Sequence, residues 1–431
     1  MKKLALFILL LTTTTFFGQV KNDSLSFKLD QYFTALTDMK NFNGNVMISK
    51  DGQVLLDKTY NMKGENDSLK VKKESRFIIA SVSKVFIKYS ILKLVELKKI
   101  TLNDKLSKFI PDFPNGDKIT IEHLMHHQSG LPRELTDYEK YDNLSLTKIV
   151  GLAKAEKLQF EPGAQTLYSN VGYFLLHYII DKTSNKGYLA FIEKEIFQKM
   201  KLKNTTEFNA AKSIPNFVYG FQNDNGKVVS TPKTYINRFE TGNYFSTISD
   251  LYSFSKQAFT GKFLDKKLVL ELFGKDSTLI QAGGRPGYRA YFYKNLKTSV
   301  DFIFVSNYTD IPIQEMTVDI VNIIDHKPYE IPHVINRQKI NITDAVLSRY
   351  VGKFALEADI SEVFSIQLID NKLFVVYEGE DKAEISPDTE TTFFNKPNSK
   401  DGYVFSFNEQ TKAYELTVIS TGMKLKAKRL K

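Results

Sequence analysis

At 431 residues, with 42% hydrophobic and 25% charged side chains, the chain can bury a large core and is long enough for two or three domains, which excludes bulk disorder. It has no cysteine, so disulfides, thiolate nucleophiles, zinc–thiolate sites and a lipid-modified cysteine are excluded. The formal charge of +10 comes with no Arg-rich arm, RNA-binding aromatic signature or zinc-finger spacing, so no nucleic-acid partner is expected.

The chain begins "MKKLALFILLLTTTTFFGQV": two lysines, an apolar run from Leu4 to Leu11, a threonine tract and Phe-Phe-Gly. Residues 1–19 are expected to be a secretory signal peptide, leaving an exported protein, periplasmic or secreted. A membrane anchor needs about 20 mainly apolar residues, and the four threonines interrupt this run. No later segment is long and apolar enough to span a bilayer. Loss of Lys2 and Lys3 leaves 57 basic against 49 acidic side chains, a charge of +8.

From Ser24 to Lys40 the spacing of Leu25, Leu29, Phe33 and Leu36 predicts a helix. "GNVMISKDGQVLLDKTYN" predicts two strands joined through Lys50-Asp51-Gly52, where glycine and its neighbour tolerate the positive φ of a tight turn. A helix is expected after Ser81, with Val82, Val85, Phe86, Tyr89 and Leu92 on one stripe. Residues 100–270 mix short helical patterns with loops. "YRAYFY" (Tyr288 to Tyr293) and "SVDFIFVSN" (Ser299 to Asn307) read as paired strands, and Val318, Val321 and Ile324 predict a helix from Pro312 that closes a domain covering 20–326. Residues 327–342 carry two prolines and little periodicity, as a linker does. The remainder, 343–431, is a series of short β-type runs, including an Asp-Asn hairpin in "VFSIQLIDNKLFVVYEG", and predicts a small all-β barrel or sandwich. It contains no chemical constellation.

The candidate chemistry begins at "IIASVSKVFIK", where Ser81 and Lys84 stand three apart at the start of the predicted helix. Residues i and i+3 share a helix face, so the lysine stem can return its amine to the serine oxygen, while Ser83 points elsewhere. The pattern itself is cheap in a lysine-rich chain: Ser-x-x-Lys recurs at Ser90, Ser145, Ser230 and Ser253, and a serine at a helix start is equally a cap. About ninety residues later "FEPGAQTLYSNVGYFLLHYII" places Tyr168 and Asn170 between a Pro162-Gly163 turn and an apolar helical run. Tyr-x-Asn also occurs at Tyr141, Tyr235 and Tyr293; here it follows a turn and precedes an apolar run, which places it on a loop entering a helix, where functional side chains are commonly presented.

In this order and context the motifs resemble the serine β-lactamase and penicillin-binding-protein superfamily, in its class C β-lactamase-like branch. The stretches "HLMHHQSGLP" (His123 to Pro132), "FEPG", "YSNVGY" and "GNYFSTISDLYSFSK" (Gly242 to Lys256) are similar to that superfamily's recurring text, over residues 40–325. The resemblance implies an α/β fold of the α+β type, an antiparallel sheet flanked by helices with an all-helical subdomain. It implies a serine hydrolase cleaving an amide or ester through an acyl-enzyme on Ser81, with Lys84 accepting or relaying the proton, Tyr168 assisting as base or shuttle, and Asn170 binding the substrate amide. The oxyanion hole would be the backbone N–H groups of Ser81 and Gly284. No cofactor is implied, and the partner is a small-molecule or peptide substrate.

The third motif departs from the superfamily's pattern. Gln281-Ala282-Gly283-Gly284 stands where a lysine or histidine, a small residue and glycine are expected, so the resemblance assigns Gln281 and Gly283 to substrate binding without the usual cation. Arg285 and Arg289 are the nearby alternatives for that charge. A protein that keeps the pocket without turnover, acting as a binding or sensory module, is the competing expectation. His123, His126 and His127 lack the Glu and distal ligand of a zinc site and are expected to be structural, and no Gly-x-Ser-x-Gly elbow or phosphate loop is present.

Overall fold

Asp51 and Gly52 both take positive φ, 50° and 77°, closing a two-residue turn whose twist matches that of its strands, Gly44–Lys50 and Gln53–Tyr60. In the computed structural model, which describes residues 24–141, 144–224, 226–233, 242–357, 363–377, 382–397, 399–420 and 423–430, this hairpin is one side of a five-stranded antiparallel sheet. The leader expected at 1–19 lies outside the described residues. The sheet order is Gln53–Tyr60, Gly44–Lys50, Val300–Ser306, Tyr288–Asn295 and Thr278–Arg285. Both expected strand pairs are therefore present, and strands about 250 residues apart in sequence meet at Gly44–Lys50 and Val300–Ser306.

Strand alternation assigns the two faces. Phe302 and Phe304 pack with Phe33, Phe42 and Tyr291 on the side of the helix at 24–38, whereas Ile303 and Val305 join the main core. That core surrounds the helix Ser83–Glu96, which is buried well beyond the expected stripe: Ser83, Lys84, Ile87, Ser90, Ile91 and Leu94 are buried as well. The helix runs through the middle of the unit, against the helices Asn170–Ser184 and Tyr188–Ile192 and the strand Thr278–Arg285, and has no solvent side. A buried charge in this core is matched: Asp301 meets Lys294 at 2.8 Å and accepts from Ser49 and Ser255.

The chain forms two compact units, Met1–Ile311 and Pro312–Lys431. The division precedes the helix Ile313–Ile324, which the sequence pattern assigns to the end of the first domain. The irregular 327–342 segment is bound to the β-rich part of its own unit: the Arg337 side chain donates to the carbonyls of Lys400 and Asp401 at 3.1 and 3.2 Å, and the Ile340 amide to Pro387 at 2.9 Å. That part is a closed barrel of eight strands, Gly352–Leu356 through Met423–Arg429, so it has no open sheet edge. Asp370 and Asn371, at φ 48° and 63°, make the expected hairpin turn. Tyr350, Phe354, Phe364, Phe393 and Phe405 fill the interior.

Candidate active site

Ser81 lies in the turn Ala80–Val82 that feeds the buried helix. Ala80 is held at φ 45°, a left-handed conformation that strains a residue with a Cβ. The turn is over-determined by its surroundings. The Ile79 amide donates to Tyr244 and the Val82 amide to Ile79, each at 3.0 Å, and the Ser83 hydroxyl donates to the Ala80 carbonyl. Ser83 thus serves the turn, while Lys84, three residues beyond Ser81, returns its Nζ to 3.1 Å from Ser81 Oγ.

Tyr168 and Asn170 arrive from the other side. Ser169 has extended backbone, φ −129° and ψ 118°, so the side chains before and after it project together while its own turns away. Its Oγ accepts from the Gly172 amide at 3.0 Å as the cap of the helix Asn170–Ser184, and donates to the Pro132 carbonyl at 2.7 Å. The Asn170 amide donates to the Arg133 carbonyl at 2.8 Å, and the Ser169 amide to His127 Nδ1 at 3.1 Å. His127 stacks on the Tyr168 ring at 4.5 Å. With that scaffold, Tyr168 donates its hydroxyl to Ser81 Oγ at 2.7 Å, and Lys84 Nζ donates to Asn170 Oδ1 at 2.7 Å. One serine oxygen therefore faces both an amine and a phenol.

The third wall is the sheet's edge strand. Gly283 is pressed against the turn that carries Ser81: a methyl there would lie 2.3 Å from the Ile79 carbonyl and 3.1 Å from the amides of Ser81 and Val82. Glycine is required by close approach, since its φ is ordinary. Gly284 follows, exposed on the same edge, with the Arg289 guanidinium beside it. Gln281 is half-buried and donates its carboxamide to the Ala282 carbonyl at 3.0 Å, so its place holds a neutral dipole. Arg289 is committed to the carbonyls of Arg285 and Tyr288, at 3.1 and 2.9 Å.

Burial pushes the Lys84 amine down to about 7; Glu134 opposes the shift, and Arg285, Arg133 and Lys88 add to it. Burial also raises the Tyr168 phenol above its ordinary value, against the Ser81 hydrogen bond and Arg133, whose guanidinium lies 5.1 Å over its ring. The amine is thus the group that can lose its proton near neutrality, and the phenol keeps its own. Together they provide a serine with an adjacent base and an adjacent hydroxyl donor, the minimum for covalent acyl transfer.

The sequence model of the Beta-lactamase family matches residues 29–312, most of the chain. The chain belongs to the beta-lactamase family. Penicillin-binding protein 4* of Bacillus subtilis (strain 168) is 26% identical over 414 residues, spanning 85% of this chain and 90% of the relative. Among solved structures, the octameric penicillin-binding protein homologue from Pyrococcus abyssi superposes with a TM-score of 0.62 at 19% identity, covering 93% of this chain and 99% of that one. The D-amino acid amidase of Ochrobactrum anthropi SV3, complexed with L-phenylalanine amide, gives 0.60 at 19% identity, covering 69% and 99%. The fold is the serine β-lactamase-like one, as the motifs imply.

Within this beta-lactamase-family domain three of the four competing Ser-x-x-Lys serines have other employment. Ser90 donates to the Phe86 carbonyl at 2.8 Å, Ser145 caps the helix Leu146–Ala153, and Ser253 accepts from Gln257 at 2.9 Å. His123 completes a capping box with Thr120, and among the described residues no cluster of acidic and histidine side chains can hold a metal. Sequence reasoning passed over Glu134, which accepts from Asn170 Nδ2 at 2.5 Å, and Arg133 beside it. The signal was present: an Arg-Glu pair directly follows Gly130-Leu131-Pro132, one residue beyond the family-like stretch His123 to Pro132.

Proposed function

We propose that the protein is an exported serine hydrolase that cleaves an amide or ester through an acyl-enzyme on Ser81, of the β-lactamase, D-amino-acid peptidase or esterase type. The observation that carries this reading is the placement of Ser81 Oγ within hydrogen-bond distance of both Lys84 Nζ and Tyr168 OH. The family and fold support a serine hydrolase, and the D-amino acid amidase neighbour bound to an amino-acid amide supports amide cleavage. In this reading neutral Lys84 takes the Ser81 proton as Oγ attacks the substrate carbonyl. The developing oxyanion is met by the amides of Ser81 and Gly284. Asn170 holds the substrate amide, and Tyr168 passes a proton to the leaving group; water then releases the acyl group by the reverse relay. Every step uses protein groups and water alone. The leader supports export to a periplasmic or extracellular site.

Gln281 bears on specificity. A neutral carboxamide offers a substrate carboxylate about 1 kcal/mol, against roughly 1.5–3 kcal/mol for a charged donor. Gln281→Lys is therefore expected to raise kcat/KM for carboxylate-bearing β-lactams about tenfold relative to neutral esters. An unchanged ratio of the two kcat/KM values counts against a substrate-facing position for residue 281. Gly283→Ala is expected to push the edge strand, and with it the Gly284 amide, off the nucleophile turn. Loss of an oxyanion donor costs about 10²–10³ in kcat, and a loss below about tenfold in acylation rate would contradict that contact.

The deciding experiment incubates the mature protein with activated esters, D-amino-acid amides and β-lactams and seeks the acylated Ser81 peptide by mass spectrometry. An adduct with any class supports the hydrolase and identifies its substrates. No adduct with any of them overturns it in favour of a non-catalytic, penicillin-binding-like binding protein, the reading that neutral Gln281 favours.

A further inference from the structure

Asn170 is held between two groups that can each make only one kind of hydrogen bond. The Lys84 amine, when charged, only donates, so the atom 2.7 Å from it must be the carboxamide oxygen. A carboxylate only accepts, so the atom 2.5 Å from Glu134 Oε1 must be the carboxamide nitrogen. The orientation of Asn170 thus follows from the chemistry of its partners. Without Glu134, the carboxamide has one anchor instead of two, and the hydrogen of Nδ2 that faces a substrate is no longer fixed.

The same contact has an electrostatic consequence. Four cations or potential cations bear on this corner: Lys84 itself, Lys88 one turn further along the same helix, Arg133 on the loop, and Arg285 on the edge strand. The remaining neighbours of Lys84 are uncharged near neutrality. The Tyr168 and Tyr173 rings lie 5.1 Å from Nζ, and burial keeps the His127 and His177 imidazoles neutral, pushed down to about 3 and about 4. Glu134 is the one anion acting on Lys84 among these groups. It is joined to Lys84 through a single carboxamide.

We propose that Glu134 is a positioning residue for the Ser81 reaction, whose carboxylate orients the Asn170 carboxamide and sets how firmly Lys84 holds its proton. The proposal rests on the reading of Lys84 as the base that serves Ser81. Glu134 touches no reacting atom; it acts through Asn170. Its removal leaves Lys84 among like charges, so the lysine sheds its proton at lower pH.

The test compares wild type, Glu134→Gln and Glu134→Ala. Glutamine retains an oxygen that accepts from Asn170 but carries no charge, and alanine removes both. The first readout is the titration of Lys84 itself, followed by NMR on protein isotope-labelled at the lysine side chains, with its resonance identified by its loss in Lys84→Met. Its midpoint is expected to fall by on the order of one pH unit in both variants, the scale of removing an opposite charge at this range. The second readout is the pH profile of kcat/KM on an activated ester. Its acid limb should move down with the Lys84 midpoint, and its plateau should fall about tenfold further in Glu134→Ala than in Glu134→Gln, because only alanine frees the carboxamide. A Lys84 midpoint unmoved in both variants overturns the proposal, as does an equal plateau in both. If the wild type neither turns over nor acylates while the midpoint still falls, the hydrolase reading fails and the control of the Lys84 proton by Glu134 stands.

Discussion

Ser81→Ala is expected to abolish covalent labelling by a fluorophosphonate or penicillin probe and to abolish acyl transfer, with the fold retained. The substitution removes one oxygen from a half-buried turn whose geometry is set by other groups: the Ile79 and Val82 amides and the Ser83 hydroxyl remain in place. Lys84 loses one acceptor but keeps Asn170, so no buried charge is stranded. The chemical loss, by contrast, is complete, because no other hydroxyl can take over as nucleophile. Ser83 is turned toward the Ala80 carbonyl, and Tyr168 OH is aimed at the oxygen that has gone. Ser90→Ala and Ser145→Ala are the matched controls and should label like wild type, since their hydroxyls belong to a helix back-bond and a helix cap. Labelling that survives in Ser81→Ala, with circular dichroism unchanged, would move the nucleophile elsewhere.

Lys84→Met should lower kcat/KM by about 10² or more, the usual scale for a positioned proton acceptor, and should remove the acid limb of the pH profile. The sign follows from burial. The amine is pushed down to about 7, so below that pH it is charged and cannot accept the Ser81 proton; the rate of the wild type should rise through about pH 7 and level off above it. Methionine fills the same space between the Tyr168 and Tyr173 rings without an amine, so a loss of rate would report chemistry and not a cavity. Tyr168→Phe is expected to lower the rate on the same scale while leaving that limb near 7, because the phenol is held protonated throughout the range. Near-normal rates in both variants would mean that the constellation is vestigial. A limb that vanishes in Tyr168→Phe but persists in Lys84→Met would exchange the two roles.

Part of this was legible in the sequence, and the parts share a property: each depends on residues within a turn or two of one another. Asp51-Gly52 and Asp370-Asn371 tolerate positive φ and so make hairpins. Ser81 and Lys84 share a helix face by spacing alone, and an extended Ser169 sends Tyr168 and Asn170 to one side. What only the tertiary structure decided are approaches across long separations. Spacing could not say which of five Ser-x-x-Lys repeats meets a tyrosine 87 residues away; packing did, by bringing the 127–134 loop and the helix start Asn170 over the turn at Ser81. Nor could it reveal that Gly283 is a glycine because the Ile79 carbonyl lies where its Cβ would be, or that Glu134 closes the chain from Ser81 through Lys84 and Asn170. Local propensity is set by a residue's own backbone and its near neighbours. The proton affinity of Lys84 is set by burial and by the charges that the fold assembles around it, and those come from three separate stretches of chain.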